Sequence, residues 1–150
     1  LIFNQCSSVG EAADIAARLV AVPVLKVDSP MAEKAVELGS RIAVVATVQS
    51  TMQPSCNLVR SKAVAAGKQV EVVDYLVDGA LDVLMKEKNR EKHNALVLAS
   101  VRKAERECDV IILAQGSMTV LLPELTDIRV PVLTSPRLGV ERAREMLFGA

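Results

Sequence analysis

The sequence predicts an α/β protein: two pseudo-symmetric lobes of parallel sheets flanked by helices, with an active-site cleft between the lobes. Of the residues, 51% are hydrophobic and only 2% are aromatic, an aliphatic composition that suits parallel strands buried between helices. Apolar runs alternate with stretches of helical periodicity, which is the pattern of βαβ units. One segment also occurs twice, and similar α/β halves create a cleft at the carboxyl ends of their strands.

The repeated segment is defined by two short strings. An apolar run ends in Gln-x-Ser at residues 5–7 and again at 115–117. Val-Pro-Val-Leu follows in both copies, at 22–25 and 130–133, and Ser-Pro closes each. The copies differ at their tips, where one carries Cys6 and the other Gln115-Gly116. We therefore expect similar backbones with different chemistry.

Apolar runs and turn residues set the expected elements. Ser7-Ser8 with Glu11 fits the start of a first helix. Pro30 suits the first turn of a second helix, which Gly39 ends. Strands are expected over 1–6, 22–27, 41–47, 70–76, 110–113 and 130–133, and helices over 10–20, 29–38, 52–66, 80–107 with a break near Asn89, 118–125 and 138–148.

A lobe boundary is expected near Gly39-Ser40, where a new buried strand begins. Residues 1–39 then form the remainder of lobe one, joined by the last helix at 136–150, and residues 40–135 form lobe two. Leu1 lies inside a strand-like run, whereas a native N-terminus is usually looser. We therefore expect that an N-terminal part of the first lobe is missing from the sequence.

Charge and cysteine content argue against several function classes. The 18 basic residues balance 18 acidic ones, which leaves no electrostatic footprint for nucleic acid or an anionic membrane. No apolar run approaches the length of a spanning helix, and no Gly-rich phosphate loop is present. Three cysteines are an odd and sparse set that argues against a disulfide framework. We expect a cytoplasmic protein.

Cys6 is the leading candidate for chemistry, because a strand is expected to give way to a helix there. Unpaired N–H groups and the positive end of a helix dipole favour a thiolate at such a position. The same N–H groups can bind a substrate carboxylate. The alternative is that Cys6 is a small buried hydrophobe, as most free cysteines are. Position alone leaves both interpretations open.

The other cysteines and the one histidine are weaker candidates. Cys56 falls inside a predicted helix and Cys108 precedes a strand, so packing is the expected role of both. Their spacings fit no zinc pattern, and we expect no metal site. His93 lies in the charged stretch 90–94 and is expected on the solvated surface, which makes a histidine-dependent triad improbable.

Two further strand ends carry polar side chains. The hydroxyls of Thr47, Ser50 and Thr51 can bind an anion together with backbone N–H groups, or simply cap the next helix. The amide of Gln115 can position a substrate, or merely satisfy a turn. The expected substrate-binding residues are Asn4, Ser7, Ser8, Thr47, Ser50, Thr51, Gln115, Gly116 and Ser117.

The chain resembles the aspartate/glutamate racemase family, which includes hydantoin racemases, arylmalonate decarboxylases and maleate isomerases. The resemblance lies in the order and spacing of FNQCSSVG, RIAVVATVQST, DVIILAQGSM and SPRLGVERAREML, and it covers essentially the whole chain. It implies two lobes around one active site, a cofactor-independent enzyme and a homo-oligomer. It also implies that the final helix packs back on the first lobe.

In the racemases of this family, one thiolate removes the α-proton and a second thiol, from the other lobe, delivers a proton to the opposite face. Cys6 matches the first-lobe cysteine. Thr47 and Ser50-Thr51 match the substrate-binding loop, with Ser50 in place of a glycine. The second cysteine is absent: aligned on the family's Leu-Gly-Cys tip, Gln115 stands in its place, whereas the internal repeat sets Gly116 opposite Cys6. Neither residue exchanges protons near neutral pH.

Functions of two classes follow as expectations. The first is a cofactor-independent racemase- or isomerase-type enzyme that acts at the carbon next to a carboxylate, with Cys6 as acid/base or nucleophile. A single cysteine also fits the one-sided protonation of a decarboxylase. The second is a ligand-binding protein that kept the cleft and lost catalysis. The expected partner is a small anion (an amino acid, a dicarboxylate or a hydantoin-like molecule), with no nucleic acid and no membrane.

Overall fold

Parallel strands form two sheets in the computed structural model, which describes residues 1–149. The smaller sheet pairs β1 (Ile2–Asn4) with β2 (Val24–Lys26). The larger sheet contains β3 (Arg41–Ala46), β4 (Glu71–Leu76), β5 (Val110–Leu113) and β6 (Val132–Thr134), in the spatial order β4-β3-β5-β6. All its pairings are parallel.

Helices alternate with these strands, as the aliphatic composition and the periodicity predict. They are α1 (Gly10–Ala16), α2 (Ser29–Leu38), α3 (Gln49–Ala65), α4 (Ala80–Met85), α5 (Arg90–Ala104) and α6 (Ser135–Phe148), with 3₁₀ helices at Ser7–Val9 and Gly116–Glu124. The predicted class, parallel sheets flanked by helices, is confirmed. Within residues 1–149, no helix is both long enough and apolar enough to cross a membrane.

Several expected boundaries are wrong, each for a local reason. The first helix ends at Ala16 because the N–H groups of Arg18 and Leu19 bond three residues back instead of four. The helix expected at 118–125 is a 3₁₀ helix over Gly116–Glu124. The prediction missed its type because an apolar pattern does not distinguish a 3₁₀ helix from an α-helix. The last helix begins at Ser135, with Pro136 in its first turn.

The larger sheet is covered on both faces by apolar side chains. Ile42, Val44 and Ala46 of β3 pack with α2 and α3 on one face. Ala43 and Val45 of the same strand pack with α5 on the other face. Since side chains alternate across a strand, a strand buried on both faces must be apolar throughout, which explains the unbroken aliphatic runs of β3 and β5. This sheet fixes the positions of the residues that follow those strands.

The smaller sheet is more open. Ile2 at the start of β1 is 42% exposed. A Cβ on Gly139 of α6 would stand 2.5 Å from the backbone oxygen of Val27, so this helix lies directly against the end of β2. Arg142 of α6 also pairs with Glu33 of α2 at 3.1 Å. The helix α2 itself contributes to the core beside the larger sheet. The expected division into lobes stays a prediction.

Candidate functional site

A cleft of about 340 Å³ opens at the carboxyl ends of the strands, between the turn after β1 and the turn after β5. An open α/β fold binds its ligands at such an edge, where strand ends and helix beginnings meet. Polar and apolar side chains share its walls, which are formed by Phe3, Gln5, Cys6, Ser7, Ser8, Val27, Thr51, Ala114, Gln115, Gly116, Ser135, Pro136 and Val140.

The turns on the two sides of the cleft have the same backbone form. Cys6 (φ −128°, ψ 113°) and Gln115 (φ −114°, ψ 128°) are both extended residues that directly precede a 3₁₀ helix. The carbonyl of Cys6 accepts a hydrogen bond from the Val9 N–H at 3.2 Å, and that of Gln115 accepts one from the Met118 N–H at 2.9 Å. The repeat seen in the sequence is therefore a repeat of structure.

Strand pairing decides which residue is equivalent to Cys6. The N–H of Ile2 donates to the Pro23 carbonyl and the N–H of Ile111 donates to the Pro131 carbonyl, both at 2.9 Å. Ile2 and Ile111 are thus equivalent. Cys6 lies four residues after Ile2, and Gln115 lies four residues after Ile111. The Gln-x-Ser alignment, which sets Gly116 against Cys6, is wrong by one residue. Gln115 occupies the position of Cys6 in the second copy.

Cys6 is exposed, whereas Cys56 and Cys108 are buried. Burial raises the pKa of both buried thiols and keeps them protonated. The interpretation of Cys6 as a buried hydrophobe is wrong. The helix α1 begins at Gly10, as expected, but a 3₁₀ turn separates Cys6 from it, so the expectation that Cys6 stands at the helix N-terminus is wrong and the dipole of α1 does not act directly on the thiol.

The carboxamide of Gln115 is held by Thr47. The Thr47 backbone N–H donates to Gln115 Oε1 at 2.7 Å, and the Thr47 hydroxyl donates to the same oxygen at 3.0 Å. These residues meet because β3 and β5 are neighbours in register, with Val45 opposite Leu113. Thr47 therefore lies behind Gln115 and does not line the cleft.

Hydroxyl groups connect the Cys6 turn to α3 and to the residue that follows β5. The hydroxyls of Ser8 and Thr51 are 3.0 Å apart, and either can be the donor. The Ser7 hydroxyl makes a longer contact of 3.5 Å with the carbonyl of Ala114, the residue before Gln115. The contact between Ser7 and Ala114 thus links the two walls of the cleft.

The structure brings only part of the expected site together. Asn4 lies in β1, and its buried Oδ1 has no hydrogen-bond partner within residues 1–149. Ser50 and Ser117 are exposed on the first turns of their helices and do not line the cleft. His93 is partly exposed on α5, away from the cleft walls. The expected residues in the walls are Cys6, Ser7, Ser8, Thr51, Gln115 and Gly116.

Sequence reasoning missed the other part of the wall. Phe3 and Val27 belong to the first copy, and Ser135, Pro136 and Val140 belong to the first turns of α6, directly after β6. The site was predicted from polar side chains at strand ends, and most of these residues are apolar. The repeated Ser-Pro was a usable signal, because the carboxyl ends of neighbouring parallel strands meet at one edge.

Similarity to known racemases agrees with this architecture. The Asp/Glu/Hydantoin racemase family matches residues 1–143. The structure is similar to an allantoin racemase from Klebsiella pneumoniae, with a TM-score of 0.72 and 22% identity over 97% of this chain and 58% of that one. A glutamate racemase from Bacillus anthracis gives a TM-score of 0.66 and 21% identity over 94% and 55%. A glutamate racemase from Francisella tularensis, in complex with D-glutamate, gives 0.71 and 14% over 95% and 55%.

No curated protein matches the chain in sequence. The chain spans little more than half the length of these solved racemases. At such low identity the structural likeness shows a shared fold. The family match is a match of sequence, and it extends over nearly the whole chain, from the strand before Cys6 into the last helix. The chain belongs to the Asp/Glu/Hydantoin racemase family.

Proposed function

We propose that this chain is part of an enzyme that exchanges a proton at the carbon next to a carboxylate, without a cofactor. The substrate is a small anion: an amino acid, a dicarboxylate or a hydantoin-like molecule. The observation that carries the proposal is the exposed Cys6 in the same cleft as Gln115. Membership of a racemase family and the fold shared with allantoin and glutamate racemases support it.

The proposed step is general acid–base catalysis. The Cys6 thiolate takes the α-proton, and the electron pair of the C–H bond delocalises onto the adjacent carbonyl oxygen. Return of a proton from the thiol to the carbon restores the substrate. The cleft, at about 340 Å³, lies within the size range of small-molecule sites. Hydroxyls of Ser8 and Thr51 in its wall are suited to hold the carboxylate.

Exchange is proposed to occur on one face of the substrate. A carboxamide does not ionise near neutral pH, so Gln115 cannot act as the second acid/base. Cys6 is the only cysteine within residues 1–149 that lines the cleft. The proton therefore returns to the face from which it was removed.

Deuterium exchange tests this function. The separate enantiomers of aspartate, glutamate and a 5-substituted hydantoin are incubated with the protein in heavy water, and proton NMR follows the α-proton. We expect one enantiomer to lose its α-proton signal without forming its mirror image. Cys6→Ser is expected to lower the rate by roughly 100-fold or more, the usual contribution of one acid–base group.

The matched control is Cys56→Ala, which removes a buried thiol that does not line the cleft. We expect this variant to exchange at the wild-type rate. Full exchange by Cys6→Ser would overturn the proposal. Rapid formation of the mirror image by the wild type would overturn its one-sided form.

A ligand-binding protein is the second candidate, and Gln115 at the position of Cys6 in the second copy favours it. Calorimetry with the same compounds separates the two functions. Binding without deuterium exchange would favour binding alone. The homo-oligomer and the cytoplasmic location expected from the sequence stay predictions.

A further inference from the structure

We propose that Thr47 locks the Gln115 carboxamide with its oxygen turned into the protein, so that the amide nitrogen donates hydrogen bonds to a substrate oxygen in the cleft. Gln115 then replaces a proton-exchanging group by a fixed, uncharged donor. The inference rests on the proposed function, since it assigns a role within the same site.

The orientation of the amide follows from the chemistry of its partner. A backbone N–H can only donate, and the N–H of Thr47 lies 2.7 Å from Gln115 Oε1. Turning the amide over would set its NH₂ group against this N–H, donor against donor. The Thr47 hydroxyl donates to the same oxygen at 3.0 Å. Because Thr47 is only 7% exposed, water competes poorly for these bonds.

Two buried strands hold Thr47 and Gln115 in place. Thr47 and Gln115 follow β3 and β5, which are neighbours in register. Both strands are buried along nearly their whole length. The amide group therefore has little freedom to turn when a ligand enters.

The amide nitrogen remains available to a ligand. Both bonds from Thr47 fall on Oε1, and the structure gives Nε2 of Gln115 no acceptor within residues 1–149. Gln115 lines the same cleft as Cys6. The NH₂ group is thus a donor for which the site lacks an internal partner.

A fixed donor selects the kind of group that can face it. It binds an acceptor oxygen, such as a carboxylate or a ring carbonyl, and disfavours an ammonium group at this wall. When Cys6 removes the α-proton, negative charge develops on that oxygen, and a preorganised N–H stabilises it without reorganisation. Gln115 is then a catalytic residue, and Thr47 is a positioning residue.

Substitutions at Gln115 and Thr47 test the NH₂ donor and the hydroxyl that positions it separately. Gln115→Glu keeps an oxygen for Thr47 and exchanges only the NH₂ group for a second, charged oxygen. We expect it to lower the deuterium-exchange rate by roughly 100-fold, the effect of removing one donor from an oxyanion site. Thr47→Val keeps the N–H and loses the hydroxyl, and we expect about a tenfold fall in kcat with little change in KM. Thr47→Ser is expected to restore the rate.

Side-chain NMR gives a readout besides activity. The ¹⁵N–¹H₂ signals of Gln115 are assigned by their loss in Gln115→Glu. Titration with aspartate, glutamate and a 5-substituted hydantoin is expected to shift these signals, in the wild type and in Cys6→Ser alike. The Cys6→Ser protein makes this readout independent of turnover.

Failure of the inference and failure of the proposed function look different. If Gln115→Glu exchanges at the wild-type rate while Cys6→Ser is inactive, the inference is overturned and the function stands. If Cys6→Ser remains active, the function is overturned, and the NMR titration alone decides the role of Gln115. Absence of any shift in the Gln115 NH₂ signals with all of the probes would overturn the inference.

Discussion

The turns after β1 and β5 have the same backbone and different chemistry. In each turn an extended residue, Cys6 or Gln115, stands two positions after the strand and directly precedes a 3₁₀ helix. One turn places an exposed thiol in the cleft, and the other places a carboxamide bound to Thr47. A repeated backbone thus fixes where a functional group stands, while one side chain decides whether that position can exchange a proton.

The turns also differ in their support. The residues of β5 are all buried, and the strand lies between β3 and β6. β1 pairs only with β2, and Ile2 is 42% exposed. The Gln115 turn therefore follows a fully buried strand, whereas the Cys6 turn depends on the contact of Ser7 with Ala114, just after β5, and of Ser8 with Thr51 of α3.

The largest effect is expected from making the turns chemically alike. Gln115→Cys sets a thiol at the position equivalent to Cys6, so that a proton can leave one face and return to the other. Because the substitution also removes the Gln115 amide donor, the comparison is with Gln115→Ser, which lacks it too. We expect the mirror-image product to form roughly 100-fold faster in Gln115→Cys than in Gln115→Ser, measured by chiral chromatography. Gln115→Ser, whose hydroxyl does not ionise near neutral pH, is the control. No mirror-image product from Gln115→Cys would contradict the equivalence of the turns.

A second test disturbs the packing of α6 against the end of β2. A Cβ on Gly139 would stand 2.5 Å from the Val27 backbone oxygen, so Gly139→Ala must push α6 away from Val27, and both lie in the cleft wall. We expect the free energy of unfolding to fall by about 2 kcal/mol and ligand binding to weaken, by denaturation and calorimetry. Gly10→Ala is the matched control, because its nearest neighbour is 3.6 Å away. Equal stability of both variants would contradict the close contact.

Hydrogen exchange compares the rigidity of the two regions directly. The Val27 N–H donates to the Asn4 carbonyl at 2.8 Å, and the Ala114 N–H donates to the Val45 carbonyl at 2.9 Å. Their bonds are alike in length, but the first lies in the small sheet and the second in the large one. We expect the Val27 amide to exchange about tenfold faster or more, since smaller units open more easily. Equal protection would show that both sheets open as one unit.

The smallest effect is expected at the end of β5 opposite Gln115. Backbone N–H bonds from Arg41 and Ser40, with the Ser40 hydroxyl, lower the pKa of the Asp109 carboxyl below its ordinary 3.8. A lowered pKa stabilises the fold above pH 3.8, and this stability is lost as the pH falls through the lowered value. Because the carboxylate is exposed to water, we expect Asp109→Asn to cost about 0.5 kcal/mol at pH 7.

Urea denaturation at pH 7 and pH 2.5 measures this difference. The cost of Asp109→Asn is expected to shrink toward zero at the lower pH, and deuterium exchange of the substrate is expected to be unchanged. A cost that persists in acid would show that the charge of Asp109 is not its source.

Long apolar runs were the predictable part of this fold. The expected strands at 41–47 and 110–113 agree with β3 and β5 within one residue, because a strand buried on both faces is apolar throughout. The expected break near Asn89 is a helix start, where the Asn89 side chain accepts a hydrogen bond from the Lys92 N–H at 2.9 Å. The short strands β1 and β2 were predicted too long, since pairing rather than composition sets their ends.

The α/β class, the repeated segment and the positions of Cys6 and Gln115 just after predicted strands could all be read from the sequence. These features are local, because periodicity and turn residues act over a few neighbours. The three-dimensional fold was needed to show that Gln115 and not Gly116 is equivalent to Cys6. It was also needed to show that Thr47 holds the Gln115 amide, and that Pro136 and Val140 form part of the cleft wall. Such contacts join residues far apart in the chain, 68 positions for Thr47 and Gln115, and strand register alone brings them together.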